Sequence, residues 1–415
     1  MAILEGIRIQ NYRALKDVTL GRTCDNEKAD PLARLTAVIG ANGTGKSSLL
    51  DALCFLGDCI KEGVQAACDK PHRGGFERLR TQGIEAPIQF AIRFRDASDT
   101  PPLNYVLDIG SDSYGRPIVI HERLGMEWAN PSQGAWKERV FTQWTEGDFL
   151  DITDGRGLVW AGQDSTDGNP KMAVEMHDRQ VLAVATFGAL ASHPDIAKFR
   201  EFLSGWYFSY FDPKLAKEPS TAGADSHLDR EGKNLAKYLQ FVEAAHPGEL
   251  NLILQRIAKK IPGLVGIKTS TSKNKQLFLE FYCEGYAEPF FQQDMSDGTL
   301  KLLAYLLLME DPNPASLIGI EEPENGLHHQ LLSLLATELK TFSRQARGPQ
   351  VLISTHAPNF VDALTPEEVW ILSKGADGYS SLTCAADIAQ VRALFDEGIP
   401  MGSLWFSDHF GIGNP

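Results

Sequence analysis

The stretch Gly40-Ala41-Asn42-Gly43-Thr44-Gly45-Lys46-Ser47 fits the phosphate-binding pattern G-x-x-x-x-G-K-[ST]. The apolar run 35–39 before it predicts a short buried strand, and apolar residues at helical spacing follow over 47–60. A strand, a glycine-rich loop and a helix in this order form the context in which the pattern binds nucleotide phosphates. The sequence therefore predicts a nucleotide site, and a glycine-rich turn that matches by chance is the less favoured alternative.

The residue types in this loop suit phosphate chemistry. Gly40 and Gly45 lack side chains, so backbone N–H groups can wrap the phosphates, and the following helix directs its positive end at them. Lys46 is expected to reach the β- and γ-phosphates, and Ser47 to hold Mg²⁺ through its hydroxyl. The predicted nucleotide-binding residues of the loop are Gly40, Asn42, Gly43, Thr44, Gly45, Lys46, Ser47 and Ser48.

The composition is that of an ordinary globular protein with an acidic balance. At 415 residues the chain has room for two or three domains of about 150 residues each. The formal net charge of −14 argues against a surface that is basic throughout, so any DNA contact needs a local patch or a partner. The six cysteines form no C-x-x-C pair, and no apolar run is long enough to span a bilayer. We therefore expect a cytoplasmic protein without membrane insertion.

The order of predicted elements indicates an α/β fold, a P-loop NTPase head with a mixed sheet flanked by helices and an inserted α+β subdomain. We assign residues 1–110 and 270–415 to the head and 111–269 to the insertion, which lacks the heptads of a long coiled-coil arm. Strands are predicted over 3–20, 88–95, 105–109, 118–124, 139–144, 158–161, 264–270 and 276–283, and helices over 179–192, 194–204, 232–245 and 248–261.

Two stretches after the insertion carry candidate site residues. Ser296-Asp297-Gly298 begins an apolar helix over 300–310, which suits anion binding, although a plain helix cap is favoured if the stretch is taken alone. The apolar run 316–320 predicts a buried strand that ends in Glu321 and Glu322. Carboxylates at such a strand end hold Mg²⁺ and orient the attacking water in P-loop ATPases, so we assign Glu321 to the metal and Glu322 to the catalytic base. Two solvated glutamates are the alternative.

Histidines occur at two further points. His328 and His329 are neighbours at a predicted helix start and point in different directions, so a surface role is favoured over metal binding. The short apolar run 351–355 predicts another buried strand, which ends in His356. This histidine can donate a hydrogen bond to the γ-phosphate.

The order of these motifs resembles that of ABC-type ATPases. The resemblance is to the soluble branch related to SMC, RecF and the overcoming-lysogenization-defect (OLD) proteins, and Asn11-Tyr12-Arg13 matches the Asn-aromatic-Arg motif of that branch. It covers about half of the chain, at both ends. It implies an ATPase that uses ATP and Mg²⁺, with Arg13 near the nucleotide, Ser296, Asp297 and Gly298 as the signature segment, Glu321 and Glu322 as the Walker B pair, residues 324–328 as the D-loop region and His356 as the switch histidine.

The chain departs from the family pattern at two points. Glu321 stands where many relatives have Asp, which moves the carboxylate one methylene outward and can slow hydrolysis. The glutamine loop is not evident, with Gln82 and Gln89 as candidates.

The resemblance also implies partners. In such ATPases two heads close over two ATP molecules, the signature segment of each capping the γ-phosphate bound to the other, so we expect a homodimer. Only 59 residues (415 − 356) follow His356, too few for the nuclease domain that OLD-type proteins carry there, so we expect a separate, nuclease-like effector. The leading hypothesis is a switch ATPase of anti-phage defence or DNA maintenance, and the alternatives are a transporter motor and a slow nucleotide-held scaffold.

One local patch is a candidate for DNA contact. The range 256–275 holds six basic residues and no acidic one, and Lys273 and Lys275 are predicted at a hairpin tip. No aromatic residues interleave with them, so a solvated face is favoured. The loop 69–83 with Arg73, Arg78 and Arg80 is a second, weaker candidate.

Overall fold

The computed structural model describes residues 2–126, 148–160, 172–221, 223, 225–246, 248–346 and 348–413. The strand predicted over 139–144 lies outside this part of the chain. The strands are β1 (Ile3–Tyr12), β2 (Leu15–Gly21), β3 (Leu35–Ile39), β4 (Ile88–Arg95), β5 (Leu103–Ser111), β6 (Pro117–Met126), β7 (Phe149–Thr153), β8 (Arg156–Trp160), β9 (Met172–Glu175), β10 (Trp206–Ser209), β11 (Ser220–Thr221), β12 (Leu264–Thr271), β13 (Gln276–Cys283), β14 (Phe290–Phe291), β15 (Leu317–Glu321), β16 (Gln350–Thr355), β17 (Val369–Lys374) and β18 (Ser380–Cys384). The α-helices are α1 (Lys46–Glu62), α2 (Val64–Cys68), α3 (Phe76–Leu79), α4 (Ala183–Phe187), α5 (Pro194–Ser204), α6 (Pro213–Ala216), α7 (Leu235–Ala245), α8 (Glu249–Ala258), α9 (Asp297–Met309), α10 (His329–Ser343), α11 (Pro358–Val361), α12 (Ala389–Asp396) and α13 (Met401–Phe406).

The glycine-rich loop follows the strand in the middle of a largely parallel sheet. The strand order is β10-β15-β16-β3-β17-β18, and only the β17–β18 pair is antiparallel. All of β3 is buried, because helices cover both faces of the sheet and every side chain of the run 35–39 meets apolar neighbours. The carboxyl ends of β3, β15 and β16 meet at one edge, and this edge carries the loop, the glutamate pair and His356.

Helix α1 lies between this sheet and a second, antiparallel sheet. The second sheet has the order β2-β1-β4-β5-β6-β7-β8-β9 among the described strands. Nearly every residue of α1 from Leu49 to Ile60 is buried, as expected for a helix that is apolar all round. The ring centroid of Phe55 on α1 lies 5.7 Å from that of Tyr12 on β1 and 6.2 Å from that of Phe90 on β4. The helix after the loop is therefore packed on both sides.

Strand pairing crosses the predicted domain boundaries. β6 pairs with β5 of the predicted head, and β7, β8 and β9 continue that sheet. β10, also within the predicted insertion, adds a parallel edge strand to β15. The division at 110/111 and 269/270 stays a prediction about folding units.

The remaining helices form a second core on the other face of the parallel sheet. Apolar residues of α7, α8, α9 and α10 gather there, and the hairpin of β12 and β13 covers part of them. Most predicted elements are confirmed, including α1 and the hairpin at 264–283. The helix predicted over 179–192 is wrong in extent, because α4 covers only Ala183–Phe187 and Gly188 forms its C-cap.

Candidate nucleotide site

The loop conformation requires glycine at two positions. Gly45 has φ 106°, and a Cβ there would lie 2.7 Å from Ser380 Oγ. A Cβ on Gly40 would lie 2.1 Å from the carbonyl oxygen of Leu372 on β17. Any side chain at these two positions would force the loop away from β17 and β18, so the pattern of glycines follows from close packing.

Lys46 is held inside the loop. Its Nζ donates hydrogen bonds to the carbonyl oxygens of Gly40 (2.8 Å) and Ala41 (3.1 Å), and the residue is 5% exposed. Burial lowers the pKa of Lys46, while the charges of Glu322, Glu324 and Glu321 act in the opposite direction. The ammonium group of Lys46 therefore lies within the loop and close enough to the glutamates after β15 to interact with their charges.

Ser47 and Glu321 lie side by side. Ser47 is in the first turn of α1, and Glu321 is the last residue of β15, two strands away from β3. Burial raises the pKa of Glu321, and the hydroxyl of Ser47 beside it opposes that rise. A hydroxyl and a carboxylate at one edge of a sheet offer oxygen ligands of the kind that Mg²⁺ prefers.

Glu322 occupies a backbone conformation unusual for its residue type. Its φ is 42°, and its N–H donates to the carbonyl oxygen of Ser354 on β16 at 2.9 Å. Oε2 accepts a hydrogen bond from Asn325 Nδ2 at 2.9 Å. Oε1 lies 3.2 Å from Nε2 of His356, which is shielded from solvent but not aligned for a hydrogen bond. The structure therefore brings Lys46, Ser47, Glu321, Glu322 and His356 to one edge of the sheet.

The segment Ser296-Asp297-Gly298 lies elsewhere, at the start of α9. Ser296 Oγ accepts a hydrogen bond from Thr299 N at 3.1 Å, the helix cap that the sequence favoured when the stretch was taken alone. Asp297 pairs with Lys217 at 2.6 Å, and a Cβ on Gly298 would lie 2.5 Å from Gly326 O. Among the described residues no hydrogen bond joins this segment to the loop 40–47.

Lys301 is a residue of this region that sequence reasoning missed. It lies on α9, is 5% exposed, and its Nζ donates to the carbonyl oxygens of Glu322 (3.1 Å) and Asn325 (3.0 Å). Burial lowers the pKa of Lys301, against the charges of Glu324 and Glu322. The sequence does contain a sign of this role: Lys301 is the single lysine in the apolar run of α9. A buried lysine needs polar partners inside the fold.

Arg13 pairs with the helix that follows the loop. Its NH2 atom lies 3.1 Å from Asp51 Oδ2 and 3.1 Å from the carbonyl oxygen of His72. Asp51 is four residues after Ser47, so it lies on the same face of α1. Its other oxygen accepts from Arg73 Nε at 2.9 Å.

Arg73 corrects the prediction for the loop 69–83. Its side chain is fully buried and also pairs with Asp58 at 2.7 Å, so it is not available for DNA contact. The basic patch 256–275 is also reduced, because Arg256 pairs with Glu310 and Lys260 with Glu338. The predicted hairpin tip at Lys273 and Lys275 is confirmed by the pairing of β12 with β13.

Comparison with known proteins identifies the family. A protein-family model with the description "AAA domain, putative AbiEii toxin, Type IV TA system" matches residues 35–362, more than half of the chain. The chain belongs to this AAA-domain family. The matched range contains the loop 40–47, the glutamate pair and His356. No curated protein matches the sequence.

Solved structures similar to this AAA domain include SMC heads. The Smc head of Pyrococcus furiosus, solved with an extended coiled coil and bound to the C-terminal domain of ScpA, has a TM-score of 0.51 at 12% identity over 95% of this chain and 100% of that chain. The Smc heads of Thermotoga maritima and Pyrococcus yayanosii have TM-scores of 0.42 and 0.46 at 12% and 11% identity, over 92% and 96% of this chain and 98% and 100% of theirs. The first likeness shows the fold, and it confirms the predicted head with a mixed sheet flanked by helices.

The residues present fit a nucleotide with Mg²⁺. In the described part of the chain no group of three or more His, Cys, Asp or Glu side chains can hold a metal ion alone. Mg²⁺ is commonly held by one or two protein oxygens with phosphate and water completing its shell, and Ser47 with Glu321 supplies that number. Nε2 of His356, which lies 3.2 Å from Glu322 Oε1 but makes no hydrogen bond among the described residues, offers a further polar group at the same edge. Among the described helices, none is long and apolar enough to cross a membrane.

Proposed function

We propose that this AAA domain is an ATP-hydrolysing switch that closes as a homodimer over two ATP molecules and controls a separate effector protein. One observation carries the proposal. The ends of β3, β15 and β16 bring a phosphate-loop lysine, a hydroxyl–carboxylate pair and a second carboxylate beside a histidine to one edge of the sheet. This is the set of groups that ATP hydrolysis by a P-loop enzyme uses.

Each group has a distinct part in the reaction. Bound Mg²⁺ supplies charge neutralisation between the β- and γ-phosphates, and Ser47 and Glu321 are the residues that would hold it. Lys46 can exchange its carbonyl partners in the loop for phosphate oxygens. Glu322 orients the attacking water and accepts its proton, because its backbone is fixed by Ser354 and its Oε2 by Asn325. His356 donates a hydrogen bond to the transferred phosphoryl group.

The dimer is supported by the placement of the signature segment. Ser296 and Asp297 are exposed at the start of α9, where the first N–H groups of a helix have no partner within the helix and carry its positive end. Within the described residues the segment makes no hydrogen bond to the chain's own loop. A second copy would bring a helix N-terminus to each bound triphosphate, where charge develops during hydrolysis.

The effector and the biological setting extend the proposal. The family description, "putative AbiEii toxin, Type IV TA system", supports a role in a host-protective system such as anti-phage defence. The contacts of Lys301 offer a mechanical link, since they bond α9 to the turn after Glu322. We propose that ATP state sets the position of α9 and that a nuclease-like effector reads it.

Turnover of ATP by the wild type and by Glu322→Gln tests the catalytic part. We expect Glu322→Gln to lose at least about 100-fold in kcat, because general-base catalysis contributes 10²–10⁴-fold, while ATP still binds. Size-exclusion chromatography with light scattering should show a stable dimer of Glu322→Gln with ATP and a monomer without it. Undiminished turnover would show that another group orients the water.

The trapped Glu322→Gln dimer also tests the effector. As bait in the native host, with Lys46→Ala as the control that does not hold ATP, it should recover a catalytic protein such as a nuclease in the ATP-bound form only. Recovery of membrane permease subunits alone would contradict the proposal and favour a transporter motor.

A further inference from the structure

The sheet of β12, β13 and β14 has one face that the fold leaves partly exposed. Leu277, Leu279 and Phe281 of β13 point into the core under α7 and α8. Side chains alternate across a strand, so Phe278, Glu280 and Tyr282 lie on the opposite face. We call this the outer face.

Aromatic rings gather on the outer face. Phe291 on β14 is paired directly with Glu280, so it lies on the same side, and it is 37% exposed. Its ring centroid is 5.8 Å from that of Phe278, with the ring planes at 68°. Tyr282 is the next ring on this face. The ammonium group of Lys268 lies 4.9 Å from its ring centroid.

Lysines border the same rings. Lys268 on β12 pairs in register with Glu280, and Ser270 with Phe278, so both lie on the outer face. Lys273 and Lys275 are at the hairpin tip next to the phenylalanines, and both are exposed with no acidic partner among the described residues. Glu280 accepts a hydrogen bond from the Tyr282 hydroxyl at 2.9 Å and faces Lys268, so its charge is balanced within the face.

We propose that the outer face binds single-stranded nucleic acid. Exposed rings stack on bases whatever their sequence, and lysines beside them contact the phosphate backbone. A folded protein partner would need a larger apolar surface, whereas here the rings are few and bordered by cations. A duplex would keep its bases stacked on each other and could use only the lysines.

The outer face is also connected to the signature segment. Phe291 is five residues before Ser296, and its N–H donates to Asp294 Oδ2 at 3.0 Å in the turn between them. A strand that stacks on Phe291 would therefore fix the chain that enters α9. This connection rests on the proposed ATP switch, whereas binding itself does not.

Binding is tested without nucleotide, so that its outcome is independent of ATP hydrolysis. Fluorescence anisotropy of labelled oligo(dT) and oligo(U), each about 16 nucleotides long, and of a duplex of the same length should show the single strands bound more tightly than the duplex. Comparison of the affinities for oligo(dT) and oligo(U) shows whether the outer face prefers DNA or RNA.

Matched variants locate the site. Phe291→Leu and Phe278→Leu should weaken oligo binding about tenfold each, and the control Tyr114→Leu, at a ring 83% exposed on another hairpin, should not. Lys273→Glu should weaken binding and reduce the slope of log affinity against log salt by about one, and Lys28→Glu should do neither. Thermal unfolding confirms that each variant is folded.

Two results would overturn the proposal. One is no binding of either single strand by the folded wild type at low salt. The other is binding that Phe291→Leu and Phe278→Leu leave unchanged, which would assign the contact to charge alone. Capture of a protein partner that depends on Phe291, with no binding of either single strand, would also overturn the proposal.

Discussion

At the scale of single residues, three of the six described non-glycine residues with positive φ lie in the motifs. Asn11, Arg13 and Glu322 have φ values of 60°, 50° and 42°, a region that residues with a Cβ adopt at a cost of about 1–3 kcal/mol each. Each is held by the surrounding chain: Asn11 Nδ2 donates to Pro87 O, Arg13 N to Leu79 O, and Glu322 N to Ser354 O. The strain is thus fixed by neighbours, and at Glu322 it sets the direction of the carboxylate.

The pair Ser47 and Glu321 gives a prediction at this scale. Ser47→Ala and Glu321→Gln should each raise the Mg²⁺ concentration needed for half-maximal nucleotide binding by about 10–100-fold. Because both side chains serve one ion, the double variant should lose less than the product of the two single effects. Titration of Mg²⁺ with a fluorescent ATP analogue measures this, with Ser403→Ala, an exposed serine on α13, as the control. Strictly multiplicative losses would show that the two residues act separately.

At the scale of elements, α9 is tied to the turn that follows β15. Lys301 bonds the carbonyl oxygens of Glu322 and Asn325, and Gly298 approaches Gly326 too closely for any Cβ. The helix that begins with the signature segment and the backbone of the proposed base therefore form one packed unit. A displacement of α9 would shift Glu322.

Lys301→Met tests this unit. Removing the ammonium leaves two carbonyl groups without their donor, so we expect a loss of about 1–3 kcal/mol in the free energy of unfolding and a fall in kcat at unchanged ATP affinity. Lys340→Met is the matched control, because Lys340 is also a partly buried lysine on a helix, bonded to Ala363 O at 2.6 Å and paired with Glu368 at 3.1 Å. It should lose similar stability and keep kcat. Equal kcat in the two variants would leave Lys301 with a purely structural role.

Glu122 on β6 gives a pH prediction. It is 1% exposed and accepts hydrogen bonds from the backbone of Ala183 and Val184 and from the Tyr105 hydroxyl, yet burial raises its pKa from the ordinary 4.5 to about 7. The folded state then binds this proton more tightly than the unfolded state. Its stabilising effect is fully present below pH 4.5 and is lost as the pH rises through about 7.

Glu122→Gln cannot titrate and removes this dependence. Urea unfolding at pH 5 and pH 8 should show the free energy of unfolding of the wild type, relative to the variant, falling by about 2–3 kcal/mol over that interval. Other groups titrate equally in both proteins and cancel in the difference. A difference that does not change with pH would mean that Glu122 is ionised throughout.

The sequence predicted the elements whose chemistry or pattern is local. The loop 40–47 and the strand ends at Glu321 and His356 were found because P-loop chemistry needs those residue types directly after buried strands. β10 was missed because Trp206–Ser209 is four residues long and too short to show alternation. Arg73 was misjudged because its partners Asp51 and Asp58 lie on α1, 22 and 15 residues away, and only the fold brings them together.

At the scale of the whole molecule, buried ion pairs join distant segments to the nucleotide helix. Asp58 on α1 pairs with Arg73, and on its other oxygen with Arg230 at 2.9 Å and Lys70 at 2.9 Å. These cations hold the pKa of Asp58 at about 2, against the effect of burial. Removing one partner from such a buried group commonly costs about 3–5 kcal/mol. These ion pairs thus connect α1, and the phosphate loop before it, to the chain around Lys70 and Arg73 and to the chain around Arg230.

The proposed dimer makes a prediction that single-chain chemistry does not. In a closed dimer each site combines the loop of one protomer with the signature segment of its partner, so Lys46→Ala and Ser296→Asp disable the same site from opposite sides. Aspartate at 296 can still cap α9, but its charge would repel the partner's triphosphate. Each variant alone should show no turnover. Mixed in equal amounts, half of the dimers pair one variant with the other, and each of these has one intact site, so turnover should return to about a quarter of the wild-type rate per chain if protomers exchange freely.

The control for this mixing experiment is a combination that cannot complement. Lys46→Ala mixed with the double variant Lys46→Ala/Ser296→Asp has no intact loop in any pairing and should stay inactive. Recovery must also depend on total protein concentration, because it requires association of two chains. If Lys46→Ala and Ser296→Asp form mixed dimers, shown by co-purification through a tag on one of them, and turnover stays absent, the site does not include the partner's signature segment and hydrolysis must be completed within one chain.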